Sequence, residues 1–143
     1  MAGKIPQTFA NHTRYDPLFH FFLLPVSLLL FVWAVIHAVR HYDHEAVALA
    51  VFALLLMLAI FKTRTYALRV QDRLIRLEER LRLASLLPVG TALPDLSEGQ
   101  LIALRFCCDS EFPSLAQKAA ANNLNSKQIK QAIQTWRGDY FRV

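Results

Sequence analysis

Hydrophobic and polar positions form three patterns along the chain. From Leu18 to Val39 no Asp, Glu, Lys or Arg occurs over 22 residues, and from Ala46 to Phe61 none occurs over 16. As a helix the first run reaches about 33 Å, enough for a hydrocarbon layer about 30 Å thick. The second reaches only about 24 Å, so Lys62 and Arg64 must snorkel or the bilayer must thin. Asp16 is placed to cap the first helix and Pro17 suits its first position, where no N–H is needed. Pro25 lies inside the span and removes the hydrogen bond to the carbonyl of Phe21, which predicts a kink.

Past Phe61 the pattern becomes amphipathic. In "YALRVQDRLIRLEERLRLASLL", Ala67, Val70, Leu74, Leu77, Leu81 and Ala84 alternate by three and four, the spacing of a heptad seam. Asp72 with Arg76 and Glu78 with Arg82 are spaced for i, i+4 ion pairs, and Arg69, Arg73, Arg76 and Arg80 form a separate basic stripe. No Gly or Pro falls between Glu45 and Leu87, so one helix of some 40 residues is predicted, stopped by Pro88 and Gly90.

After the linker "LPVGTALPD" the period shortens into three helical pieces. Ser97 with Gln100 makes a capping box, with Leu101, Leu104 and Cys108 on the face that follows. Pro113 opens a second helix to about Ala121, and Asn125 with Gln128 starts a third carrying Ile129, Ile133 and Trp136 at i, i+4 and i+7.

The expected fold is all-α. A transmembrane helical hairpin leads into a long cytoplasmic amphipathic helix and a small three-helix C-terminal module. The boundaries read from the pattern are an N-terminal segment 1–16, a first span 17–39, an external turn 40–45 and a second span 46–66. The amphipathic helix 67–87, a linker 88–95 and the module 96–143 follow. The connection of about six residues makes the two spans antiparallel neighbours. A module this small is expected to dock on the long helix or on a partner.

Composition agrees with a membrane chain: 55% of the 143 residues are hydrophobic and the mean hydropathy is positive. The first run is longer than a signal-peptide core of about 7–15 residues and lacks a clear A-x-A site, so an uncleaved anchor is expected. Charge sets the orientation. Lys4 and Arg14 precede the first span, and seven Lys or Arg lie in 62–82 against Asp72, Glu78 and Glu79. The connection holds Arg40 against Asp43 and Glu45. Both termini are therefore expected in the cytoplasm, with the connection on the outer face.

That connection contains "HAVRHYDHE", with His37, His41 and His44 at i, i+4 and i+7. On one helix face three imidazoles could take Zn or Cu. A wet turn lacks the dry surroundings and supporting hydrogen bonds of a tight site, and the spacing spans the point where the helix stops, so interfacial anchoring is the stronger reading. One haem cannot bridge His20 and His37, which lie about 26 Å apart at helical rise. As an intramembrane ionisable group His20 remains a candidate in its own right, although it can reach the headgroups. Cys107 and Cys108 are adjacent with no second pair, which favours reduced, buried side chains over metal or redox chemistry. No cofactor is expected.

Three binding surfaces compete. Leu74, Leu77, Leu81, Ile133 and Trp136 are the apolar anchors expected to meet a protein partner, a second copy, or the chain's own module. The Arg69, Arg73, Arg76 and Arg80 stripe suits anionic headgroups. "LAQKAAANNLNSKQIKQAIQTW" is similar to a helix-turn-helix, with Lys127 and Lys130 in position for phosphates. Residues 95–143 net only +1, however, so nucleic acid is the weaker partner. Phosphate loops, H-E-x-x-H and G-x-S-x-G are absent from the sequence, and an enzyme is not expected.

"FANHTRYDPLFHFFLLP", "YALRVQDRLIRLEERLRL", "LSEGQLIALRF" and "SKQIKQAIQTWRGDYFRV" together resemble an uncharacterised bacterial family of small two-helix membrane proteins, classed as a domain of unknown function. The resemblance covers nearly the whole chain and is weakest across residues 40–61. It implies a bacterial inner membrane and transfers no catalytic or binding residue. The expected role is a non-catalytic anchor or adaptor that presents a cytoplasmic helical module. The alternatives are a membrane-tethered nucleic-acid binder and, third, a metal- or haem-binding membrane protein.

Overall fold

A computed structural model describes residues 6–13 and 15–140. Lys4 and Arg14, which enter the charge asymmetry, and the last three residues of the module lie outside the described residues. The described chain is all-helical. A π-helical turn, Phe19–Leu23, leads into α1, Leu24–His41, followed by α2, His44–Leu86, α3, Glu98–Leu104, α4, Phe112–Ala121, and α5, Ser126–Ala132. The described chain divides into two compact units, residues 15–69 and residues 6–13 with 70–140.

In the first unit, Asp16 caps the helix start as its position suggested, its Oδ1 accepting from Phe19 N–H at 3.3 Å. The disturbance expected from Pro25 takes the form of the π-turn just before it, where Leu24 N–H donates to Phe19 O. Widening the ladder by one residue is a recognised way for a helix to absorb a local fault. Two helices here are long and apolar enough to cross a membrane, Phe19–His41 and the start of α2. Their buried positions are small: Ser27 and Ala34 on α1, Ala46 and Ala53 on α2, each pair seven residues apart. Small side chains let two helix backbones approach closely. At the start of this unit Arg64 pairs with Asp16 at 3.6 Å and lies over the Phe19 ring, so this cation has a carboxylate partner.

The connection is tighter than the pattern suggested. Residues Arg40, His41, His44 and Glu45, assigned to the turn, are helical, leaving only Tyr42 and Asp43. Tyr42 adopts the left-handed region (φ 51°) while its N–H still closes on Ala38 O. Asp43 caps α2, its carboxylate accepting from Ala46 N–H at 2.6 Å. A left-handed residue followed at once by a cap is sufficient to reverse the chain.

The second unit is built on the far part of α2. Both expected capping boxes are present, at Ser97/Gln100 and Asn125/Gln128. α4 ends at Asn122, with Asn123 left-handed (φ 46°) and Leu124 N–H returning to Ala119 O at 3.0 Å. This is a Schellman ending in which asparagine takes the usual place of glycine. Leu83, Leu96, Leu101, Leu104, Phe106 and Phe112 form the core, with Ile129 and Ile133.

Two expectations fail here for one reason. Cys108 is not on α3, and Ile133 and Trp136 are not on α5, because residues 106–108 and 135–137 pair as a short antiparallel bridge. Cys108 N–H donates to Thr135 O at 3.2 Å and Arg137 N–H to Phe106 O at 2.7 Å. The carboxylate of Glu111 takes the N–H groups of Thr135 (2.9 Å) and Gln134 (3.2 Å), giving them a partner other than the helix ladder. With those donors engaged, α5 stops after seven residues without a Gly or Pro signal.

Candidate interaction surface

The site-bearing element of the second unit is α2 from Val70 to Leu86. Its buried face is Ile75, Glu79 and Leu83, at i, i+4 and i+8, and through it the helix packs on the module. The heptad seam lies on a different face. Val70, Leu74, Leu77 and Leu81 are 66%, 55%, 56% and 62% exposed, so packing of the seam against the chain's own module is corrected. The side chains that decide this are polar. Arg82 leaves α2 and enters the module, where Nη2 donates to Cys107 O at 2.5 Å and Nε to Asp109 Oδ1 at 2.7 Å. Nη1 donates to Glu79 Oε2 at 2.8 Å, and the guanidinium lies 4.5 Å from the Phe112 ring centre. An arginine that satisfies its fork this fully fixes which face of the helix turns inward.

The ion pairs expected at i, i+4 are accordingly replaced. Arg82 pairs with Glu79 and Asp109 rather than Glu78, and Arg76 pairs with Glu98 while its Nε donates to the Asp72 carbonyl. Arg76 therefore leaves the basic stripe, whereas Arg69, Arg73 and Arg80 stay exposed. Glu79 is 5% exposed; burial raises its carboxyl above the ordinary value, and Arg82 opposes that shift without cancelling it.

Other predicted site residues separate clearly. Leu74, Leu77 and Leu81 share the exposed ridge, but Ile133 is 6% exposed and Trp136 is half-buried against Phe106 and His12, so these two belong to the core. Lys127 is exposed. Lys130 turns inward, its Nζ 3.1 Å from His12 Nε2 and 5.6 Å from the Phe106 ring centre. Its phosphate-facing role in the helix-turn-helix reading is thereby weakened, and α5 has only two turns to offer a groove. His37 and His41 come together with ring centres 4.3 Å apart, Trp33 stacking on His37. Among the described residues no group of three His, Cys, Asp or Glu side chains is arranged to hold a metal ion. His20 stays local, its Nδ1 2.8 Å from Asp16 O and 3.2 Å from Asp16 N, between the rings of Tyr15 and Phe19.

Cys107 is fully buried, and burial, with Glu111 nearby, pushes its thiol up to about 12. Such a thiol is a poor nucleophile. A cleft of about 510 Å³ beside α2 is lined by Ile75, Glu78, Glu79, Arg105, Arg137 and Asp139, among others, with no Ser, Cys or His in its wall. Arg105 pairs with Asp139 there at 3.0 Å.

Three side chains hold the module together through long-range contacts that the sequence pattern did not predict. Gln100 is buried, and beyond its part in the capping box its Nε2 donates to both Ala119 O and Leu124 O at 3.0 Å. Glu111 fastens the reversal after α5. His12, edge-on to Phe106 and tilted against Trp136, holds the N-terminal segment beside Gln7, which exchanges two hydrogen bonds with the backbone of Asp139. Only the Gln100 role had a signal in the sequence, namely a capping-box glutamine inside an apolar face.

No curated protein and no solved structure matches the chain. One family does, a family of unknown function, DUF6526, and its match runs over residues 1–143. With its whole length covered, the chain belongs to that family.

Proposed function

We propose that the protein is a non-catalytic anchor and adaptor of the bacterial inner membrane. In this reading the chain crosses the membrane twice, keeps both termini in the cytoplasm, and offers the exposed ridge of α2 to a protein partner or to itself. The observation that carries it is the outward apolar surface of the two long helices. Phe21, Leu29 and Phe52 are each about two-thirds exposed or more, along runs free of Asp, Glu, Lys and Arg. Apolar surface on that scale is tolerated when lipid covers it. The ridge supports the adaptor part, because four large apolar side chains, Val70, Leu74, Leu77 and Leu81, each stand more than half exposed.

The test is affinity purification of the full chain from membranes in mild detergent, comparing the parent with a Leu77→Asp, Leu81→Asp variant. Because both side chains are exposed, the variant is expected to keep its helical circular dichroism and to lose what co-purifies. Retention of every co-purifying species with the ridge charged refutes the adaptor reading. Recovery of the parent in the soluble fraction refutes the anchor.

A further inference from the structure

We infer that the occupant of the α2 ridge is a second copy of this chain, paired in parallel as a short coiled coil with Arg73 of each copy facing Glu78 of the other. This deepens the anchor-and-adaptor reading and rests on it.

The register comes from the division of faces on α2. With Leu74 and Leu81 at a and Val70 and Leu77 at d, the side chains turned into the module, Ile75, Glu79, Arg82 and Leu83, fall at b, f, b and c. The module thus covers the back of the helix and leaves Val70, Leu74, Leu77 and Leu81 each more than half exposed, with Leu74 also bordering the cleft beside α2. The flanking charges then choose the partner and its direction. Arg73 and Arg80 fall at g, and Gln71 and Glu78 at e. Parallel pairing sets each g residue against the e residue five positions on in the other copy, which brings Arg73 to Glu78 twice, once on each side. Antiparallel pairing sets g against g and gathers Arg73 and Arg80 of both copies along one edge, where like charges repel.

Both members of the proposed pair are exposed, Glu78 along the edge of the cleft that Arg105 and Arg137 also line. Arg73, Glu78 and Arg80 are exposed, whereas Arg76 and Arg82, the neighbouring cations at c and b, are engaged with Glu98 and with Glu79 and Asp109. Direction is also set by the anchor, since two copies held in one membrane leave it pointing the same way. Fewer than three heptads make a marginal coiled coil in free solution. Confinement to one membrane raises the effective concentration, so a weak seam suffices.

The test is oxidative crosslinking of the full chain in native membranes, in a Cys108→Ser background with Cys107 left in the core. Leu77→Cys and Leu81→Cys are each expected to give a disulfide-linked homodimer, and Gln117→Cys, exposed on α4, is not. Glu78→Arg is expected to lower the Leu81→Cys yield about fivefold, and adding Arg73→Glu to restore it. Equal crosslinking at Gln117→Cys overturns the inference. So does a species in which Val70→Cys joins Leu81→Cys without either joining itself, which marks an antiparallel pair, and so does a crosslink only to a different protein. Alkaline carbonate separates this failure from that of the underlying reading. Release of the chain with ridge crosslinks intact refutes the anchor and supports pairing, whereas retention without ridge crosslinks refutes pairing and leaves the anchor standing.

Discussion

Replacing Arg82 by Met probes the contact that decides which face of α2 is buried. The substitution keeps most of the aliphatic stem over Phe112 and removes four polar contacts: Glu79, both contacts with Asp109, and the Cys107 carbonyl. Asp109 has a side chain 67% exposed and is rehydrated at little cost, but the Glu79 side chain is 7% exposed and loses its cation in place. Removing one partner of a buried pair costs about 3–5 kcal/mol, and the low end applies here because Glu79 can take up a proton instead. The pH dependence carries the sign. Glu79 already sits above its ordinary 4.5, and Arg82 lowers it, so the variant raises it further. As pH rises from about 4.5 the unfolded chain gives up this proton before the folded one, so stability falls through that window until the folded carboxyl ionises. The Arg82→Met penalty should therefore be largest at neutral pH and shrink on acidification, and a second Glu79→Gln change should remove most of it at neutral pH. Urea titration of the full chain in detergent, read by Trp136 fluorescence in a Trp33→Phe background, measures this. A penalty below about 0.5 kcal/mol at neutral pH, or one independent of pH, refutes the reasoning.

Gln100→Leu leaves the carbonyls of Ala119 and Leu124 without their side-chain donor and should cost about 2–3 kcal/mol in the same titration. Cys108 should be alkylated by maleimide at pH 8 well before Cys107, which should react only as urea unfolds the module; equal rates in the native chain contradict the burial and raised pKa of Cys107. Replacing His37, His41 and His44 together by Asn should leave helical circular dichroism and expression nearly unchanged, and elemental analysis of the purified parent should find no metal near one per chain.

Much of the fold was legible because its signals are local. The charge-free runs, the unbroken stretch from Glu45 to Leu87 and two reciprocal capping boxes each depend on residues within a few positions of one another, and the helices follow them closely. Failures came where a distant partner decides. Val70, Leu74, Leu77 and Leu81 make the most regular apolar stripe in the chain, yet the module docks on Ile75, Glu79 and Leu83, where Arg82 finds Glu79, Asp109 and the Cys107 carbonyl as partners. Nothing near Glu79 in the sequence marks it as buried. Likewise Ile129, Ile133 and Trp136 have perfect helical spacing, but Glu111, more than twenty residues upstream, captures the backbone that would have continued α5. The tight reversal at Tyr42 was hidden for a different reason, since a tyrosine in the left-handed region gives no warning that a glycine would give.

The central claim, a twice-crossing anchor with its module inside the cell, is tested most directly by one labelling measurement. Single cysteines are placed at Tyr42, which is 83% exposed between the two helices, and at Ser97, ahead of α3, in a Cys107→Ser, Cys108→Ser background. The intact cells are then treated with a membrane-impermeant thiol reagent. The account predicts that the cysteine at 42 is labelled at once and the cysteine at 97 only after the cells are broken. The reverse pattern, or equal labelling of both in intact cells, contradicts it.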